Sequence, residues 1–176
     1  ERHFSNESTG RFYSGWRGED AESPVGGLTA TGVHVLDAFV DLVGPARRVH
    51  AQFTARPSAT EPLDSLSVFI EFANRVSGVM SCVRTTAQYW RIHVFGRNGW
   101  AEALEDIELV VRKTDSPPQR LTFQRVDALR LELEAFAQCI KAGAPYPIPF
   151  TQMLEGVAAT EAVVKSIEVG RSIDLP

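Results

Sequence analysis

A chain of 176 residues, 44% hydrophobic and 23% charged with a formal charge of -4, is long enough to bury one core without disulfides or a structural metal. Its slight acidity leaves no basic footprint for nucleic acid or an anionic membrane, and no apolar run approaches the roughly 20 residues that span a bilayer. These features predict one cytoplasmic domain, residues 1–176, whose partners are small molecules or other proteins.

Residues 1–24 mix Ser, Asn, Gly, Glu and Arg with Phe4, Phe12, Tyr13 and Trp16 and hold no steady period. That pattern predicts a loop folded over a neighbouring surface, after a short strand at His3-Phe4. Asn6 and the pair Trp16-Arg17 are its candidates for substrate binding. An aromatic face beside a guanidinium suits a sugar ring or a carboxylate, although such pairs also serve packing, and loop asparagines also bond their own backbone.

Gly26, Gly27 and Gly32 then mark an entry where backbone can approach closely, and a helix is expected over residues 29–43. Val33, Leu36, Val40 and Val43 form its apolar stripe, while His34, Asp37 and Asp41 lie on another face. Gly44-Pro45 stops it. His34 is the candidate catalytic group, because a neutral imidazole can accept a proton from a substrate hydroxyl at physiological pH. The structural alternative is a histidine bonded to a backbone carbonyl or to Asp37 one turn on. Asp37 either orients the ring, binds substrate or bonds a neighbouring element.

Period two takes over from Arg47. Val49, Ala51 and Phe53 alternate with His50, Gln52 and Thr54; Leu66, Val68, Ile70 and Phe72 alternate with Ser67, Phe69 and Glu71. Val76 to Val83 follows after Asn74-Arg75, which predicts a hairpin. Asn74 suits a positive φ, while Arg75 stands where glycine would be easier. Trp90 to Phe95, Trp100 to Leu104, Ile107 to Arg112 and Arg120 to Gln124 read as further strands. Two helices close the chain, with apolar positions Leu129, Leu133, Phe136 and Ile140 in one and Leu154, Val157, Ala158, Ala162 and Ile167 in the other. The proline-rich Ala144-Pro149 segment joins them as a stiff connector.

Strands in one block with helices on either side predict an α+β fold: an open, largely antiparallel sheet of about six strands, covered on one face by three helices. The uncovered face still carries apolar groups, Phe69 and Val79 or their partners of opposite parity, and is expected to bury itself against a second copy. Cys82 and Cys139 read as buried, reduced thiols. His3, His34, His50 and His93 show no paired spacing, so no metal site is expected. The glycine-rich stretches match neither a dinucleotide fingerprint nor a phosphate loop, so this chain by itself is expected to bind no nucleotide.

Gly26-Gly27, then Gly32-Val33-His34-Val35-Leu36-Asp37, Leu42-Val43-Gly44 and Arg48-Val49-His50-Ala51 resemble the C-terminal domain of the glucose-fructose oxidoreductase, inositol dehydrogenase and MocA family. The resemblance continues through Ile70-Glu71-Phe72-Ala73-Asn74, Ile92-His93-Val94-Phe95-Gly96, Gly99-Trp100-Ala101-Glu102 and Pro145-Tyr146-Pro147. It implies one part of an NAD- or NADP-dependent dehydrogenase acting on a sugar, polyol or related hydroxy compound. In that family a preceding domain holds the nucleotide, and this one supplies a wall of the substrate site and a sheet for oligomerisation. A first residue of Glu1 agrees with a piece of a longer protein, and the isolated chain is expected to be inactive. His34 matches the family histidine that takes or relays the hydroxyl proton. Many members carry an aspartate four residues earlier, where this chain has Ala30. That departure favours the alternative of a non-catalytic ligand-binding or dimerisation module.

Overall fold

Residues 3–4, 25, 28–56, 63–83 and 89–176 are described by a computed structural model of the chain, and its strands follow the period of two expected of half-buried β-structure. The long strands β2 (Ala46–Arg56), β3 (Leu63–Phe72) and β4 (Ser77–Val83) pair antiparallel. The short β1 (His3–Phe4) lies parallel on the free side of β4, and β9 (Ile173–Asp174) lies antiparallel on β2. Their order is β1-β4-β3-β2-β9.

The register decides which side chains share a face. Val49 faces Ile70, Ala51 faces Val68, and Val68 in turn faces Met80, so these apolar residues share one side and are buried. On the opposite side His50, Phe69 and Val79 make one exposed row, and exposed Gln52 and Ser67 with half-buried Ser81 make the next.

Strands β5 (Arg91–Gly96), β6 (Gly99–Leu104), β7 (Glu108–Lys113) and β8 (Gln119–Thr122) form a second antiparallel sheet in that order. Ile92 from this sheet joins the core built on the first. The fold is therefore α+β with open, largely antiparallel sheet structure. Its strands fall into two sheets rather than one of about six, because among the described residues β5 pairs only with β6.

Helix α1 (Val33–Val43) is entered through a π-helical turn at Leu28–Gly32. It buries Val35, Leu36, Phe39 and Val40. Of the expected stripe, Leu36 and Val40 are inside, while Val33 and Val43 are only half-buried. Val33 is turned toward a cavity shared with helix α3 (Phe150–Val169) and not toward the sheet.

Helix α3 corrects the apolar stripe more strongly. It buries Gly156, Ala159, Ala162, Val163 and Ser166, whereas Leu154 and Val157 are exposed and Ala158 and Ile167 half-buried. The helix packs on β2 and α1, and small residues on the contact side let backbones come close while the bulky ones are left outside.

Helix α2 (Ala128–Ala142) buries none of its residues, so two helices and not three form the layer over the sheet. Its ends are nonetheless well made: Asp127 accepts a hydrogen bond from the Arg130 N–H at 3.0 Å, and left-handed Gly143 donates to the Cys139 carbonyl at 3.1 Å. Both cysteines are reduced; Cys82 is buried as expected, whereas Cys139 is only half-buried.

The β3–β4 turn fixes the end of α1. Arg75, with φ of 68°, is the left-handed residue, and Asn74 has another task. Its amide donates to the Val43 carbonyl at 2.8 Å, its Oδ1 accepts from Val76 N–H at 3.1 Å, and Ala73 N–H donates to the Pro45 carbonyl at 3.0 Å. The helix carrying His34 is thereby anchored to the sheet.

Candidate functional site

Four buried side chains hold one side of α1 against the core and leave the other side outward, and that side carries His34, Asp37 and Asp41, all exposed. His34 lies just after the π-helical turn, and wide turns of this kind recur at functional sites. Among the described residues it makes no hydrogen bond or ion pair, and none joins it to Asp37. Its imidazole is free to meet a ligand or another polypeptide.

Asp37 is turned toward α3. Its carboxylate rests against Gly156, where a Cβ would overlap Oδ1. One turn further, Gln152 donates to the Asp41 carboxylate at 3.2 Å and ties the two helices together. Between them opens a cavity of about 360 Å³. Thr29, Asp37, Gln152, Thr160 and Glu161 provide its polar groups, while Val33, Met153 and Val157 provide apolar walls.

Most of the accessible lining is apolar, and the polar groups are set among it. Carboxylates and an amide carbonyl accept from hydroxyl groups, while threonine and glutamine can also donate, which suits a neutral ligand carrying a few hydroxyl groups. Two acidic residues on the rim oppose a phosphate. This cavity therefore suits a neutral ligand better than the pyrophosphate of a dinucleotide. No three His, Cys, Asp or Glu side chains among them converge as metal ligands.

Of the predicted site residues, His34 and Asp37 share the outward side of α1, with Asp37 on the cavity rim and His34 outside its lining. Asn6, Trp16, Arg17 and the Gly26-Gly27 pair lie outside the described residues, and Ala30 falls in the π-helical turn. Sequence reasoning missed Gln152, Thr160 and Glu161. The available signal was the spacing Gln152-Gly156-Thr160, which sets two polar residues around a glycine on one helical face.

Residues 2–102 match the family described as the GFO/IDH/MocA C-terminal domain. No curated protein matches the chain. Among solved structures, a provisionally named NADPH-dependent oxidoreductase from Desulfitobacterium hafniense is 26% identical with a TM-score of 0.82, and the match covers 98% of this chain and 55% of that one. An oxidoreductase from Thermotoga maritima is 20% identical with a TM-score of 0.78, covering 98% and 52%. Levoglucosan dehydrogenase, solved with NADH and levoglucosan, is 20% identical with a TM-score of 0.79, covering 99% and 57%. The chain thus spans little more than half the length of these structures. Among the described residues no helix is long and apolar enough to cross a membrane.

Proposed function

Because the chain belongs to the GFO/IDH/MocA C-terminal-domain family, we propose that residues 1–176 are the single C-terminal, substrate-binding and oligomerisation domain of a cytoplasmic NAD- or NADP-dependent oxidoreductase acting on a sugar, polyol or related hydroxy compound. The observation that carries the proposal is the outward His34, without a side-chain partner among the described residues, on the same side of α1 as the Asp37 rim of a largely apolar cavity that carries a few polar groups. Neutral imidazole there accepts or returns the proton of a substrate hydroxyl. Asp37 accepts a hydrogen bond from a second hydroxyl and orients the substrate. Asn6, Trp16 and Arg17 are further candidates for substrate binding from the sequence. The nucleotide is held by polypeptide outside this chain, in keeping with the acidic rim of the cavity.

Exposed Phe69 and Val79 on the open sheet face support association with a second copy. The test of function is the complete polypeptide, assayed with NAD and NADP against a panel of sugars and polyols. Oxidation of one member, lost in His34→Ala, is the expected result, and full activity in that variant removes the catalytic assignment. Ala30, standing where many family members carry an aspartate, favours a second reading as a module that binds ligand without turning it over. Ligand binding by calorimetry in the absence of any turnover on the panel would select it.

A further inference from the structure

Helix α3 borders the cavity beside Asp37 with two stripes of side chains. Gln152, Gly156 and Thr160 form the inner one and are half-buried or buried, while Met153, Val157 and Glu161 form the outer one and are exposed. Asp37 rests against Gly156, so Asp37 and Gln152 make one polar end of the space and Thr160 and Glu161, one turn beyond Gly156, make the other. Between the two ends stands Val157, and Val33 and Met153 extend the apolar wall.

The hydrogen-bonding capacity left at the two ends is one-sided. Thr160 donates its hydroxyl proton to the Gly156 carbonyl at 2.9 Å, and Gln152 directs one N–H to Asp41 at 3.2 Å. Neither Asp37 nor Glu161 has a hydrogen-bond or ion-pair partner among the described residues. The capacity that remains on these four side chains is two carboxylates, the Thr160 oxygen and the Gln152 carbonyl, all acceptors, against the second N–H of Gln152. A ligand satisfies them with hydroxyl hydrogens at both ends. A carboxylate or phosphate on the ligand would face lone pairs and negative charge. A hydroxyl held against Val157 would give up its water and find no partner in exchange.

We infer that the substrate is a cyclic hydroxy compound deoxygenated along one edge, held by hydroxyl donors at two separated positions with its C–H edge on Val157, and that Val157 determines this specificity. The fully hydroxylated ring, the sugar acid and the sugar phosphate are the compounds it turns away. The inference rests on the functional reading above for the reaction, but not for the binding preference of the cavity.

Matched pairs provide the test: hexopyranoses and their monodeoxy counterparts, given to the complete polypeptide encoded by the reading frame, with turnover and calorimetric binding both measured. At least one monodeoxy sugar should exceed its parent in kcat/KM by roughly 10 to 100 fold, the penalty of one hydroxyl placed on an apolar wall. Val157→Thr keeps the branched shape and supplies a hydroxyl, and it should lower that ratio by roughly tenfold. Val157→Ile keeps the wall apolar and should leave the ratio in place. A ratio taken within one protein is independent of how much of it is active, and an exposed position tolerates both changes. Parents used as well as their deoxy counterparts, or a ratio that Val157→Thr does not move, overturn the inference. So does a preference for an amino sugar, because the two carboxylates would then be serving a cation. Calorimetry separates this outcome from the functional reading: a deoxy preference in binding without turnover removes the function alone, and turnover with the fully hydroxylated sugar preferred removes the inference alone. Absence of both binding and turnover across the panel removes both.

Discussion

The Ser166 hydroxyl accepts a hydrogen bond from the Ala51 N–H at 2.9 Å and donates one to the Arg171 carbonyl at 2.8 Å. Strand β9 pairs with β2 at Arg48 and Val49, and continuing that register would bring Arg171 opposite Ala51. The side chain therefore stands in for a ladder bond just where the strand has ended. It also pins α3, and with it the wall of the Asp37 cavity, to the sheet.

Ser166→Ala should cost about 1–3 kcal/mol, because a buried N–H and a carbonyl both lose their partner. Urea denaturation of the two proteins measures it. A loss below about 0.5 kcal/mol would mean that water replaces the hydroxyl and that the bridge is dispensable.

The contact of Asp37 with Gly156 predicts a background-dependent substitution. Alanine at a helix interior gains roughly 1 kcal/mol over glycine. Pushing the Asp37 carboxylate off its rotamer costs roughly 0.5–1.5 kcal/mol. Gly156→Ala alone should therefore change stability by less than about 1 kcal/mol. With Asp37→Ala already present, no other side chain crowds that Cβ, and the full gain of about 1 kcal/mol should appear. Equal effects in the two backgrounds, read from four denaturation curves, would show that the contact does not constrain α1 against α3.

His34→Ala separates chemistry from stability. An exposed side chain without a partner should alter the stability of the chain by no more than about 0.5 kcal/mol. In the complete polypeptide the same change should lower turnover of the true substrate by roughly 10² to 10⁴ fold. A large loss of stability with unchanged turnover would assign the residue to structure.

His93 makes the fold sensitive to mild acid. Its ring packs against Phe95 with centroids 3.9 Å apart, and its Nε2 is buried without a hydrogen-bond partner among the described residues. Burial lowers its pKa below the ordinary histidine value; Glu102 opposes the shift and Arg91 adds to it. Protonation is disfavoured in the folded state, so the stabilising contribution is complete above the unfolded pKa of about 6.5 and is lost as the pH falls through the lower folded pKa. Denaturation at pH 7.5 and 5.5 should show a fall in stability that is smaller in His93→Phe. Identical falls would place the acid sensitivity elsewhere.

Much of the sheet was legible from local pattern. Alternation in Val49-Ala51-Phe53 and Leu66-Val68-Ile70 assigned the strands and divided their side chains into two sets, because a period of two leaves one set for each side, while the structure decided which set faces the core. The hairpin at Asn74-Arg75 was also readable, although the task of Asn74 was not, since its hydrogen-bond partner Val43 is 31 residues away in sequence. For the candidate site, His34 and Asp37 were visible as polar positions on an amphipathic helix. The cavity was not, because its other wall comes from α3.

The sequence by itself determined that this chain makes strands and amphipathic helices, and that His34 lies away from the apolar side of its helix. Hydrophobic periodicity is a property of neighbours along the chain, and it needs no knowledge of what lies opposite. Only the tertiary structure decided that α3 turns its glycine, alanine and serine residues inward and that α2 is left with an uncovered face. Only there do Asp37 and Gly156 meet. Such outcomes depend on how closely two backbones approach, and small residues that permit close approach leave almost no hydrophobic signal in the sequence.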